Sequence, residues 1–136
     1  WRQSVYYPLY FASLYGRGES LQLKINSPKY SSDIADDVNY VDASAVINEE
    51  EKTLSFFIIN RSEEESVDLD FDINNLPIIK IIDQQIINHT NIYASNTINK
   101  PNEIVPKKTN IATFQNENLM TKIPKLSYLF ILLKIK

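Results

Sequence analysis

Asp68, Asp70 and Asp72 alternate with Val67, Leu69, Phe71 and Ile73. On a strand this spacing sends the three carboxylates to one face, neighbours roughly 6.5–7 Å apart at the backbone. Inverting glycoside hydrolysis uses two carboxyl groups roughly 6.5–9.5 Å apart, one as acid and one as base. It also needs a pocket that raises one of the two pKa values, and nothing in the flanking residues suggests one. The same alternation describes the wet side of a half-buried strand, which is the expected role.

Asp33, Asp36, Asp37 and Asp42 precede another strand and supply hard oxygen ligands of the kind calcium takes. Their spacing does not match a calcium loop and lacks the glycine for its sharp turn, so a solvated acidic loop is expected. His89 is the only histidine and is expected in a surface turn. Alone it makes no metal site, and nucleophilic catalysis would need a serine and an orienting acid beside it. Trp1, Tyr30, Tyr40 and Tyr93 are aromatic residues near turns. Exposed, such rings stack on sugars; otherwise they fill a sandwich and its edges. Glu49 to Glu51 and Glu63 to Glu65 read as solvated hairpin tips. The sequons Asn60-Arg61-Ser62 and Asn88-His89-Thr90 are expected by chance in a chain rich in asparagine.

The chain has 136 residues, which suits one domain able to bury a core without staples. It has no cysteine, which excludes disulfides, thiolate zinc sites and cysteine nucleophiles and fits a reducing, cytoplasmic setting. The formal net charge is −3, with no basic stripe to attract a phosphate backbone, so nucleic-acid partners are not expected. The longest apolar run, Tyr128 to Leu133, is far short of the roughly 20 residues of a membrane span. No signal peptide is expected, since no charged n-region with an apolar h-region is visible.

These candidates sit on elements of two kinds. From Pro8 to Tyr15 the apolar residues cover most of a helix circumference, with Pro8 suited to the first helical position. Gly16 is expected to stop that helix as a left-handed residue, and Gly18 to supply a second unusual conformation before a strand. They are the only two glycines of the chain. Arg17 between them is expected to cap the helix carbonyls or pair with an acid. Beyond this joint the period becomes two. Leu21, Leu23 and Ile25 alternate with Gln22, Lys24 and Asn26. Residues 40–48 and 53–60 read as a hairpin around Asn48 to Lys52. Residues 67–73 read as a half-buried strand, and 78–87 as a strand pair or one long bent strand. Pro101 and Pro106 mark loops; 111–114, 119–123 and 126–135 complete the strands. This succession predicts an all-β fold, an antiparallel β-sandwich behind one short helix. One apolar helix ahead of a complete sandwich has more apolar faces than an independent domain needs. It is expected to be the last element of something larger.

In order along the chain, "WRQSVYYPLYFASLYGRGESLQ", "SPKYSSDIADDVNYVDASAVINEE", "FIINRSEEESVDLDFDI", "PNEIVP" and "IPKLSYLFIL" resemble the C-terminal region of the α-L-arabinofuranosidases of glycoside hydrolase family 51. The resemblance covers essentially the whole chain. It implies a jelly-roll-like β-sandwich packed against a catalytic (β/α)8 barrel, with the "YGRG" stretch as the junction. Residues 1–18 would be the end of the terminal barrel strand, its helix and the junction, and 19–136 the sandwich. The two catalytic glutamates of that family, acid/base and nucleophile, act with retention and lie upstream of the matched region. No catalytic residue is therefore expected in this chain, and no cofactor or metal. By the "WRQ" motif Gln3 would face the arabinose subsite, where an amide can both donate to and accept from hydroxyls. Trp1 and Arg2 share the motif without an assigned contact. The closing "ILLKIK" departs from the expected pattern in its two lysines.

The resemblance implies a non-catalytic domain that braces the barrel of its own polypeptide and aids homo-oligomer formation. The parent enzyme would release terminal α-L-arabinofuranosyl groups from arabinan or arabinoxylan. A carbohydrate-binding module using the aromatic residues is the alternative, and a self-sufficient glycosidase using Asp68 and Asp70 is a third.

Overall fold

In the computed structural model, which describes residues 1–136, one helix precedes eleven strands. The helix α1 spans Tyr6–Tyr15, followed by β1 (Glu19–Leu21), β2 (Lys29–Tyr30), β3 (Val38–Asn39), β4 (Val41–Asn48) and β5 (Thr53–Asn60). Then come β6 (Val67–Phe71), β7 (Ile78–Asn88), β8 (Lys107–Lys108), β9 (Thr113–Gln115), β10 (Asn118–Ile123) and β11 (Ser127–Ile135). Six strands form one sheet in the order β1-β4-β5-β11-β7-β8, and β6-β10-β9 form a second. All pairings are antiparallel, and β2 pairs with β3 as a small separate ribbon.

The hairpin β4–β5 holds its expected register, from Val41 opposite Asn60 to Asn48 opposite Thr53. At its tip Asn48 Oδ1 accepts from the Glu51 amide at 2.9 Å, and Lys52 takes a positive φ of 56°. Strand β6 alternates as its sequence does, with Val67, Leu69 and Phe71 half-buried and Asp68 and Asp70 exposed. Residues 78–88 form a single strand whose register against β11 shifts in two places. The half-buried side chains of β6 pack with Leu119 and Ile123 of β10 against Leu54, Phe56, Ile58, Leu129 and Ile131 of the large sheet. This is the core of a β-sandwich.

Strand β11 is apolar at nearly every position because both of its faces are covered. Leu129, Ile131, Leu133 and Ile135 face the sandwich core. Phe130 and Leu132 face the other way, where Phe11 of α1 packs on them. A strand buried on both sides loses its alternation.

Two expectations about the joint need correcting, and two hold. Helix α1 starts at Tyr6, so Pro8 is its third residue and not its first. The amides of a first helical turn have no partner within the helix, so a proline there costs no bond. Gly16 is not left-handed: its φ is −89°, and its amide donates to the Ala12 carbonyl at 2.8 Å. The positive φ, 137°, belongs to Gly18. Arg17 caps the helix, its Nε donating to the Ser13 carbonyl at 3.1 Å.

The alternation over 21–26 survives as burial but not as a strand. The ladder with β4 ends at Leu21. Leu23 still packs on the core, and the segment borders an open cleft of about 540 Å3 between the sheets, which Asp68, Asp70 and Asp72 also rim. Glu63 to Glu65 are not a hairpin tip. They lie on the crossover from β5 in the large sheet to β6 in the small one, where the Ser62 hydroxyl accepts from the Glu64 and Glu65 amides.

Two buried amides join parts that periodicity cannot connect. Gln84 of β7 donates to the Ala112 carbonyl and accepts from the Ala112 amide, both at 2.8 Å. It thereby pairs with the chain entering β9 as a backbone rung would. Asn60, 2% exposed, donates to the Glu65, Ile123 and Pro124 carbonyls. This buried side chain is closed to glycan attachment in the folded chain.

Candidate functional site

The outer face of the large sheet carries aromatic and aliphatic side chains that need a cover. Phe11 supplies it from the middle of α1. Its ring stacks on Phe130 at 4.7 Å and 11°, and lies near-parallel to Tyr128 at 6.3 Å. Tyr15, one turn on, stacks on Phe130 at 5.0 Å. Burying Phe11 contributes roughly 1.5–3 kcal/mol from area alone, and stacked pairs add about 0.5–1.5 kcal/mol.

The helix is apolar on its other side as well. Val5, just before it, is 58% exposed, Leu9 65%, Tyr10 44% and Leu14 47%. Positions 5 and 9 lie one turn apart, as do 10 and 14, so the four form two adjoining rows on the side away from Phe11. A helix apolar all round is ordinarily buried all round; here the sheet covers only one flank.

The segment before the helix is held from two directions. The Gln3 carbonyl accepts from the Tyr6 amide at 3.0 Å, and Arg2 lies over the Tyr6 ring at 4.8 Å. From the far end of the sequence, Asn96 Nδ2 donates to the Arg2 carbonyl at 2.8 Å. Asn96 also bonds both backbone groups of Ile104 at 2.7 Å. At the base of the same loop His89 Nε2 meets Glu103 at 3.3 Å. Val5, Pro8, Ile87, Ile92, Ile104 and Tyr128 line an open cleft of about 410 Å3 beneath the helix start. The Tyr128 hydroxyl is buried without a hydrogen-bond partner, and burial holds its pKa above the usual phenol range.

The sequence candidates are scattered. Gln3 and Trp1 are exposed at this face. Asp68 and Asp70 are exposed on the opposite sheet, with Lys122 across the strand from Asp68. Asp72 binds Asn74 through one carboxylate oxygen. Asp42 leaves the acidic loop to pair with Arg61 at 3.4 Å, and no three acidic or histidine side chains converge as a metal set. Tyr30 and Tyr40 pack together with their rings tilted by 35° at 4.7 Å, both half-buried, while Tyr93 stands 86% exposed. His89 is half-buried rather than on the open surface. Sequence reasoning missed Asn96, Gln84 and Tyr128. The first two bond partners 94 and 28 residues away, and no local pattern signals such pairs.

A family model described as the alpha-L-arabinofuranosidase C-terminal domain matches residues 1–127. Intracellular exo-alpha-(1->5)-L-arabinofuranosidase 1 of Bacillus subtilis (strain 168) is 37% identical over 134 residues, 98% of this chain and 26% of that protein. The intracellular exo-alpha-(1->5)-L-arabinofuranosidase of Halalkalibacterium halodurans is 32% identical over 94% of this chain and 25% of its own length. Among solved structures, a family 51 alpha-L-arabinofuranosidase from Bifidobacterium longum superposes with a TM-score of 0.88 at 25% identity, covering 98% of this chain and 25% of that one. The chain thus spans about a quarter of the relatives it matches. No helix is long and apolar enough to cross a membrane.

Proposed function

Since this chain belongs to the α-L-arabinofuranosidase C-terminal domain family, we propose that it serves as the non-catalytic sandwich of a retaining, cytoplasmic arabinofuranosidase. The parent polypeptide releases terminal, non-reducing α-L-arabinofuranosyl groups, including α-(1→5)-linked ones, from arabinan or arabinoxylan fragments. Two glutamates of its (β/α)8 barrel do the chemistry, and this chain alone turns nothing over. Residues 1–18 belong structurally to the barrel and 19–136 form the sandwich. Gln3 reaches the arabinose, and the sandwich braces the barrel and contributes to homo-oligomer contacts.

The uncovered flank of α1 carries this reading. Val5, Leu9, Tyr10 and Leu14 are apolar, exposed and contiguous with a helix already fixed to the sheet. Such a patch marks a contact surface, and an adjoining barrel helix of the same polypeptide fits it. Tyr93, 86% exposed, favours the second reading, a sugar-binding module.

The test is an NMR titration of the 136-residue chain with arabinose and short arabino-oligosaccharides, with assay of released sugar. Absence of shifts and of turnover is expected. Saturable shifts centred on Tyr93 would establish the binding module instead, and turnover would place catalysis within this chain.

A further inference from the structure

We propose that Asn96 is a positioning residue for Gln3, acting through the Arg2 carbonyl; this rests on the reading of Gln3 as an arabinose contact. Between Asn88 and Glu103, Asn96 is the only buried residue, 2% exposed in a run of exposed and half-buried ones. A buried amide in a surface loop adds nothing to a hydrophobic core. It must be satisfied by bonds, and its bonds tie the loop to the chain start. Nδ2 donates to Arg2 at 2.8 Å and to Ile104 at 2.7 Å, and Oδ1 accepts from the Ile104 amide at 2.7 Å.

These bonds bracket Gln3. The carbonyl before it is held by Asn96, and its own carbonyl by the Tyr6 amide at 3.0 Å. Its backbone is therefore pinned on both sides while its side chain stays exposed. That arrangement presents a side chain from a fixed point, as a sugar contact requires, since small misplacement of a contacting group costs rate steeply. His89 and Glu103 meet at 3.3 Å at the base of the same loop.

The decisive experiment is a double-mutant cycle in the barrel-bearing polypeptide, with a 4-nitrophenyl α-L-arabinofuranoside as substrate. Gln3→Ala and Asn96→Ala are each expected to lower kcat/KM by about 10- to 100-fold. The double variant should be no worse than Gln3→Ala alone, because Asn96 acts only through Gln3. If Gln3→Ala lowers kcat/KM while Asn96→Ala does not, or if the two effects multiply, the positioning role is overturned and the Gln3 reading stands. If Gln3→Ala is fully active, the Gln3 reading falls and the positioning role with it. Where Asn96→Ala fails to fold, Asn96→Asp replaces it, keeping the acceptor for Ile104 and losing both donors. In the unsubstituted 136-residue chain, scalar coupling across the hydrogen bond from Asn96 Nδ2 to the Arg2 carbonyl carbon is expected; its absence would also overturn the proposal.

Discussion

Gly18 and Ile47 approach so closely that no side chain fits between them. A Cβ on Gly18 would lie 2.1 Å from the Ile47 carbonyl oxygen and 2.9 Å from its carbon. The contact brings β1 alongside β4, one residue before Glu19 pairs with Ile47. At φ 137° the backbone also disfavours any other residue. Gly18→Ala is expected to cost about 2 kcal/mol or more, from strain and the displaced strand together. A urea titration would read this as a lower midpoint; an unchanged midpoint would refute it.

Phe11 is the one helix side chain fully buried against the sheet. Phe11→Ala is expected to remove about 3 kcal/mol and to release α1 from the sheet. Loss of ring-current shifts on Phe130, with sandwich amides unmoved, would report the detachment. Leu9→Lys in the same chain should stay within about 0.5 kcal/mol of the parent, as for an exposed site.

Gln84→Leu keeps bulk but strands the amide and carbonyl of Ala112, both paired only through that side chain's 2.8 Å bonds. Each orphaned buried group costs about 1–3 kcal/mol, so a loss of about 3 kcal/mol is expected. Faster hydrogen exchange at Ala112 should accompany the lower denaturation midpoint.

Asp83 gives a pH prediction with a definite sign. Burial raises its pKa, but hydrogen bonds from Lys108 and Gln85 and the Lys108 charge outweigh it, leaving the pKa below 3.8. A folded-state value below the unfolded one means stability present above about pH 4 and lost as pH falls through the folded value. Lys108→Met should therefore destabilise the chain near neutral pH by about 0.2–1 kcal/mol, the difference fading in acid. Thermal melts of both chains from pH 7 to pH 2 would show the two curves converging; parallel curves would refute it.

The strands that alternate were legible. Residues 67–73 show their inward face in the sequence, because a period of two survives wherever one face is wet; 40–48 and 53–60 were legible as two apolar runs either side of a polar tip, and 53–60 does not alternate because Phe57 packs on the helix side while Phe56 faces the core. The segment 21–25 misled for the same reason: Leu23 is half-buried and packs on the core, yet the residues after Leu21 have no ladder partner. Apolar spacing reports burial, and hydrogen-bond partners come from elsewhere in the chain. The joint was legible as a joint, and so was the unusual conformation of Gly18, which the close approach of Ile47 demands; the left-handed stop expected at Gly16 is absent because its amide closes a last helical bond to Ala12. At the candidate site Gln3 came only from family likeness. Asn96 was invisible because an asparagine in a polar loop looks like any turn residue until its distant partner is placed beside it.

The position of β11 has a consequence for folding. It lies between β5 and β7 and pairs with both along nearly its whole length. The half of the large sheet made of β1, β4 and β5 reaches the half made of β7 and β8 only through it. Until β11 inserts, β5 and β7 each lack a neighbour, exposing edges of the kind that invite aggregation. Its pairing with β5 is distant in sequence, and such contacts form slowly. A substitution that delays this one insertion would therefore lengthen the time both edges stay open, whatever it does to the finished fold.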